Sequence, residues 1–378
     1  MAAVENGDNN FELFVEKAPE TRSGTKPKVY KDGQYSDPVF KKLSKINGEV
    51  NKLNKRELQS KLKEFGLDTR GLKEVLKKRL KNFYKERNIQ KSRVRVTGKT
   101  GYDYLAVIDF EATCEENYPS YRHEIIEFPV VLVDVDKMEI VAKFQEYVRP
   151  LLNPKLSSFC TSLTGITQEK VDQADPFVDV LAKVEAWFSQ HGLGLEKTFA
   201  VLTDGPWDMF RFMFYQCQES HIEMPAWSKV WINIRKAYCN FYNCGRGGIE
   251  IMLHNLGMKF EGSPHSGIDD AVNIARIAIK MLSDGCCLSL NEQIQIKVDP
   301  RDSKCEARYV VYHEPRKSRA ARDCDENSEG EAAEEIGGDY GGDYSGEINH
   351  EMERLHIDMS EVDDGVDDLL SYYKLQKS

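Results

Sequence analysis

The sequence predicts an α/β layer fold joined to a small all-α module, and three observations predict it. Between residues 101 and 315, apolar strand-like runs come first and amphipathic helices follow. Between residues 46 and 88, the apolar residues recur at helical spacing instead. Charge then separates the segments. The 378 residues carry a net −10, yet 46–96 hold 16 basic and 6 acidic side chains, 97–315 hold 21 and 31, and 316–378 hold 7 and 18. An acidic total argues against a nucleic-acid partner only when the charge is evenly spread, which here it is not.

Residues 1–45 are polar, with scattered Gly, Pro and Asn, and read as a flexible arm. In 46–88, Leu53, Leu58, Leu62 and Phe65 mark one helix, which Gly66 stops. Asp68-Thr69-Arg70-Gly71 opens a second helix, marked by Leu72, Val75, Leu76, Leu80 and Phe83. Two helices around one seam leave Lys73, Lys77, Lys78, Arg79, Lys81 and Lys85 on the outer face. A net of +10 over 46–96 exceeds what solvation requires and points to phosphate. Residues 89–100 read as a basic linker. In 101–315, Tyr104–Phe110, Ile125–Val135 and Glu139–Val148 read as strands, with Pro129 awkward in the second. Val178–Phe188 is a predicted helix and Phe199–Leu202 a short strand. Trp207–Cys217, Ile232–Tyr242, Ile249–Leu256 and Ile268–Leu282 are further predicted helices, the last stopped at Gly285. Residues 316–378, with the near-repeat GGDYGGDYSGE, hold too little apolar surface to offset ordering entropy and are expected to be disordered.

Composition narrows the class further. No apolar run reaches the roughly 18 residues of a membrane span, so no membrane partner is expected. The start, MAAVENGDNNFELF, lacks the basic and apolar regions of a signal peptide. Nine scattered cysteines without a CxxC pair read as reduced intracellular thiols, and Cys239 and Cys244 lack the companions of a zinc site.

Four acids and one histidine stand out by position. Asp109 and Glu111 end a predicted buried strand, and alternation puts them on one face. Two carboxylates there repel each other and lose solvation, and a divalent cation relieves both costs. Asp208 opens a helix after a short strand. His265 precedes the long final helix, and Asp270 lies in its first turn. Each alone reads as a cap or a loop residue.

Taken in order, the Asp109-x-Glu111 pair, Asp208, and His265-x4-Asp270 resemble the DEDDh family of 3′→5′ exonucleases, which has a ribonuclease H-like fold with a mixed central sheet flanked by helices. Asp204 departs from the family, which usually has Asn or His there. FEATCEE at 110–116, HEIIEFPVVL at 123–132, SLTGIT at 162–167, LTDGPWD at 202–208 and INIRKAY at 232–238 are similar to the histone-mRNA 3′ exoribonuclease ("enhanced RNAi" nuclease) family. That family also carries a SAP module, which 46–88 resembles.

The resemblance implies a Mg²⁺-dependent 3′→5′ exoribonuclease that releases nucleoside 5′-monophosphates. Two Mg²⁺ ions, with Mn²⁺ as a substitute, would be held by Asp109, Glu111, Asp208 and Asp270, with His265 as general base and Glu111 also catalytic. Glu111, Ala112, Phe159, Trp207 and His265 would meet the terminal nucleotide. Lys77, Lys78, Arg79 and Lys81 would hold an RNA stem. Implied substrates are histone mRNA stem-loops, small interfering RNA ends and ribosomal RNA 3′ ends, and implied partners a stem-loop-binding protein and ribosomal subunits. The implied location is the cytoplasm and the nucleus, including the nucleolus. Two other readings stay open: a DNA-directed exonuclease of the same fold, and a non-catalytic hairpin-binding adaptor.

Overall fold

A computed structural model describes residues 38–91, 100–116, 121–298 and 305–311. The N-terminal module has three helices, α1 (Pro38–Lys52), α2 (Lys55–Glu64) and α3 (Lys73–Lys91). Asn54 starts α2 with a capping box: its Oδ1 accepts the Glu57 N–H at 3.0 Å, and Glu57 Oε2 accepts the Asn54 N–H at 2.7 Å. Val50, Leu58, Leu62, Leu76 and Leu80 close a separate small core. Leu58, Leu62, Leu76 and Leu80 carry the predicted helical spacing.

Two boundaries differ from the sequence expectation. Residues 38–45 were expected in the flexible arm, yet they form the first turns of α1, where Phe40 and Leu43 are buried. The module therefore has three helices rather than two. Residues 89–91, expected in the linker, continue α3. The remaining arm (1–37), most of the linker (92–99) and the tail (316–378) lie outside the described residues.

The larger domain begins with β1 (Tyr104–Ile108), β2 (Glu111–Ala112), β3 (Ile125–Asp134) and β4 (Glu139–Arg149). Next come α4 (Ser158–Thr164), α5 (Gln168–Asp172), β5 (Asp175–Pro176), α6 (Phe177–Gln190) and β6 (Phe199–Thr203). A π-helical stretch, Asp208–Met213, runs into α7 (Phe214–Glu219), and a 3₁₀ turn, Ala226–Ser228, precedes β7 (Val230–Asn233). The described residues end in α8 (Ile234–Tyr242), α9 (Ile249–Leu256), α10 (Gly267–Ser283), β8 (Glu292–Val298) and β9 (Cys305–Val311).

The sheet is mixed, in the order β5-β4-β3-β1-β6-β7-β8-β9, with β2 also paired to β3. β1 runs antiparallel to β3 and parallel to β6, so it is central. Its alternation feeds both faces. Ala106 and Ile108 pack with Val180, Val184, Met209 and Phe214, while Leu105 and Val107 pack with Leu256, Ile274, Ile277 and Ala278 of the α9–α10 side. Burial on both faces also explains why β3 reads as an apolar run interrupted only by Glu127 before Asp134. Pro129 falls opposite the break between β1 and β2, since Ile108 pairs with Val130 and Glu111 with Glu127.

Candidate active site

The break after β1 builds the site. β1 stops at Ile108, and Asp109 and Glu111 flank Phe110 at the corner that leads into β2. Asp208 Oδ1 accepts the Phe110 main-chain N–H at 2.9 Å, which ties the turn after β6 to this corner. Asp270, in the first turn of α10, arrives from the opposite layer. One ligand oxygen from each of Asp109, Glu111 and Asp270 lies within 4.8 Å of the others. Asp208 is adjacent but stands outside that group of three, with one oxygen committed to Phe110.

Crowding of carboxylates in a water-poor site has a measurable electrostatic cost. Burial pushes Asp109 well above the usual carboxylate range, and the charges of Asp208, Asp270, Asp204 and Glu111 add to it. Glu111 rises for the same first reason, then through Asp270, Glu127 and Asp208. Burial takes Asp208 and Asp270 up to about 7, against hydrogen bonds from main-chain N–H groups that favour the ionised form. A divalent cation would offset this repulsion, so the donor set fits such an ion: hard oxygens only, and converging.

A second layer holds the carboxylates in place. Buried Glu127, on β3, accepts N–H groups from Gly267 (3.1 Å) and Ile268 (3.3 Å) at the start of α10, and from Gln145 Nε2 at 2.7 Å. Asp204 is paired in two-pronged fashion with Arg235, at 3.0 and 2.8 Å. Sequence reasoning missed Glu127 and Arg235. Glu127 did carry a signal: an acid inside an otherwise apolar buried strand needs dedicated partners. For Arg235 there was none, because its partner comes from a different strand end.

His265 has φ +62°, a left-handed conformation that is strained for a side-chain-bearing residue. Its N–H donates to Asp270 Oδ2 at 2.8 Å, so its loop folds back onto α10. Burial lowers its imidazole pKa, opposed by the charge of Glu250. Trp207 is half-buried beside Asp208. Arg211 covers one face of the indole at 4.2 Å, and Phe212 meets it edge-on at 6.1 Å. The Trp207 Nε1–H is buried and has no hydrogen-bond partner among the described residues. Phe159 lies half-buried on α4, whose capping Ser157 donates from Oγ to the Cys114 carbonyl at 2.8 Å. That bond brings α4 against buried Ala112 at the exit of β2, where Cys160 Sγ lies 3.8 Å from the Ala112 carbonyl.

The basic residues divide. Lys77 is partly exposed and paired with Glu74 at 2.9 Å. Lys78 lies over the Phe241 ring at 4.5 Å, and Lys81 is half-buried. Arg79 does not lie on the outer face as expected. It is 3 % exposed and forms an ion pair with Asp284 of the larger domain at 2.7 Å. The reason is helical geometry: two residues from Lys77 or Lys81 is about 200° around α3, so Arg79 faces inward when they face out.

Comparison with known proteins agrees with this architecture. An exonuclease family (RNase_T) matches residues 106–278, and the SAP domain family matches 49–85. The chain is 50 % identical over 291 residues to 3′-5′ exoribonuclease 1 of Rattus norvegicus, covering 75 % of this chain and 84 % of that protein. A solved structure of "3′-end specific recognition of histone mRNA stem-loop by 3′-exonuclease" matches at 47 % identity and TM-score 0.53, covering 74 % of this chain and 94 % of that one. The nuclease domain of 3′hExo, a DEDDh family member bound to rAMP, matches at 54 % identity and TM-score 0.51, over 52 % of this chain and 99 % of that one.

Fold and site together define a SAP-containing exonuclease of the DEDDh class, enzymes that use divalent metal ions. The chain belongs to the 3′-5′ exoribonuclease 1 family. Its activity is 3′→5′ exonucleolytic hydrolysis of RNA, and RNA is its substrate.

Proposed function

We propose that the chain trims the 3′ ends of RNA hairpins with Mg²⁺ as its cofactor, histone mRNA stem-loops being the first candidate substrate and small interfering and ribosomal RNA ends the next. The observation that carries the reading is the convergence of Asp109, Glu111 and Asp270 at the end of β1, in a chain that also bears a docked basic module. In this reading Asp109, Glu111, Asp208 and Asp270 are the metal ligands. Bound there, divalent ions would supply a hydroxide nucleophile at neutral pH and stabilise charge on the departing oxygen.

The protein's own groups do the rest. His265 takes the proton from the attacking water on its imidazole, and its lowered pKa keeps that ring neutral and ready to accept. The unpartnered Trp207 Nε1–H gives the terminal nucleotide a donor, and the face of the indole away from Arg211 gives its base a platform. Phe159, half-buried on α4, would pack on the same nucleotide. Main-chain groups at Glu111 and Ala112 meet the terminal ribose, where a contact to the 2′-OH favours RNA over DNA.

Product analysis on a 5′-labelled hairpin with a 3′ overhang tests the proposal. With Mg²⁺, nucleoside 5′-monophosphates should leave one at a time from the 3′ end and the ladder should stop near the stem. Chelator should abolish release. Equal degradation of stem and overhang, or release that survives chelator, would refute it.

A further inference from the structure

We propose that the buried Arg79–Asp284 pair is a positioning device: it fixes the basic module on the nuclease domain and thereby sets recognition of a hairpin, with Arg79 making no phosphate contact of its own. This rests on the hairpin reading above. Four of the five guanidinium N–H groups are engaged. Arg79 Nε and Nη2 donate to Asp284 Oδ1 and Oδ2 at 2.7 and 2.9 Å, and Nη1 donates to the carbonyls of Asp68 and Arg70 at 2.6 and 2.9 Å. Both side chains are nearly inaccessible, at 3 % and 2 %. A guanidinium that makes four hydrogen bonds and is 3 % exposed has little left for a phosphate.

The backbone of its own helix does not favour the charge of Asp284. It caps the C-terminal end of α10, where the helix dipole disfavours a negative charge. Its compensation comes from Arg79, from Lys280 Nζ at 3.0 Å and from the Tyr242 hydroxyl at 2.8 Å. Buried pairs of this kind are weak sources of stability, and their best-attested use is to fix one arrangement over others. The surrounding seam agrees with such a use. Asn82 Nδ2 donates to the Asp284 carbonyl at 2.7 Å, Leu72 N–H donates to the Asn255 carbonyl at 2.8 Å, and Val75 packs in the core of the larger domain. A Cβ on Gly257 would lie 2.7 Å from Gly71 N, so the two main chains are in direct contact.

The pair is also tied to the chemistry. α10 carries Asp270 in its first turn and Asp284 just past its last, fourteen residues and so about 21 Å apart along one rigid helix. On the side of α3 away from Arg79, Lys73, Lys77, Lys81 and Lys85 follow at four-residue spacing. Phosphates held by that stripe would stand at a fixed distance from the carboxylates, as the 3′ end of a hairpin requires.

The test uses full-length wild type, Asp284→Asn, Arg79→Met and the double variant. Hairpin affinity is measured against KCl, and turnover is measured on the hairpin and on its isolated single-stranded 3′ segment. Positioning predicts that Asp284→Asn binds the hairpin about tenfold more weakly. It should keep wild-type turnover on the single strand, which also reports a folded domain, and an unchanged salt slope. The double variant should be no worse than the worse single one. If Asp284→Asn keeps or tightens hairpin binding while Arg79→Met flattens the salt slope, Arg79 contacts phosphate and the inference is wrong. Wild type without a hairpin preference removes the hairpin reading itself; a preference retained by Asp284→Asn removes only this inference.

Discussion

The main-chain N–H of Gly267 donates to Glu127 Oε2 at 3.1 Å, bringing the first residue of α10 directly onto the sheet beneath the carboxylates. The approach leaves no room for a side chain. A Cβ on Gly267 would lie 2.7 Å from the Asp109 carbonyl oxygen and 3.2 Å from both Glu127 Oε2 and Pro129 Cγ. That contact fixes how far Asp270 stands from Asp109.

Gly267→Ala should therefore damage catalysis more than folding. The methyl group must push α10 away from a main-chain oxygen that cannot yield, at a cost of about 1–3 kcal/mol in stability. A displacement of about 1 Å between catalytic groups lowers turnover about 100-fold. Urea unfolding and turnover on a short RNA check both. Wild-type turnover would show that the site tolerates a wider α10, contrary to this account.

How much of this was legible in the sequence depends on the range of each interaction. The strands β1, β3 and β4 and the helices α6, α9 and α10 follow from apolar periodicity, which is local. Asp109, Glu111, Asp208, His265 and Asp270 could be picked out because each falls where a strand ends or a helix starts, also a local signal. Arg79 could not. Periodicity places it opposite Lys77 and Lys81, but an apolar seam and a buried acid 205 residues away offer the same helix face, and only tertiary packing decides. Ile232 and Asn233 were expected in a helix for a related reason: Ile232 extends its apolar pattern, yet pairing with β6 takes both into β7. β8 and β9 were missed because they lie beyond the last strong period and are set by pairing with β7 and with each other.

The crowded carboxylates make the metal-free protein sensitive to pH in a defined direction. Asp208 and Asp270 stand at about 7 in the folded protein, above their usual 3.8. Between those values the folded state binds protons that the unfolded state has released, so stability falls as pH rises through about 7. With chelator, unfolding should occur at a lower temperature at about pH 8.5 than at about pH 6.5. Divalent ion at 100 times its Kd should restore about 2.7 kcal/mol at the higher pH, and less at the lower, where it must displace protons. Thermal melts across the four conditions decide it; a melt that ignores both pH and metal would contradict the shared site.

His123 gives the opposite slope in a more acidic window. Its Nδ1 lies 2.7 Å from the Thr113 carbonyl, which can only accept, so Nδ1 carries the proton of a neutral ring. Burial lowers its pKa from 6.5 to about 4, with that hydrogen bond opposing. Here the unfolded chain takes up the proton first. The stability is complete above about pH 6.5 and is lost as pH falls toward 4, by up to about 3 kcal/mol. His123→Gln should start less stable near neutral pH and lose less on acidification. Parallel urea titrations of both proteins give the difference, and equal acid slopes would exclude His123 as the source.

The basic stripe on α3 makes a prediction that separates phosphate contacts from positioning. Lys77 and Lys81 are one helical turn apart on the face away from Arg79, and neither is fully buried. Each phosphate neutralised by a lysine releases condensed counterions, so the logarithm of affinity falls with the logarithm of salt concentration by about 0.7 to 0.9 per contact. Lys77→Ala with Lys81→Ala should therefore flatten that slope by roughly 1.4 to 1.8 for hairpin RNA. The loss should be similar for any stem sequence, because backbone contacts carry no base information. Turnover on short single-stranded RNA, which does not reach the module, should be unchanged. Filter binding of two unrelated stems at several salt concentrations tests the first two points, and a turnover assay on the single strand tests the third. A loss confined to one stem sequence would mean that these lysines read bases, and an unchanged slope would place the phosphate path on another face of the module.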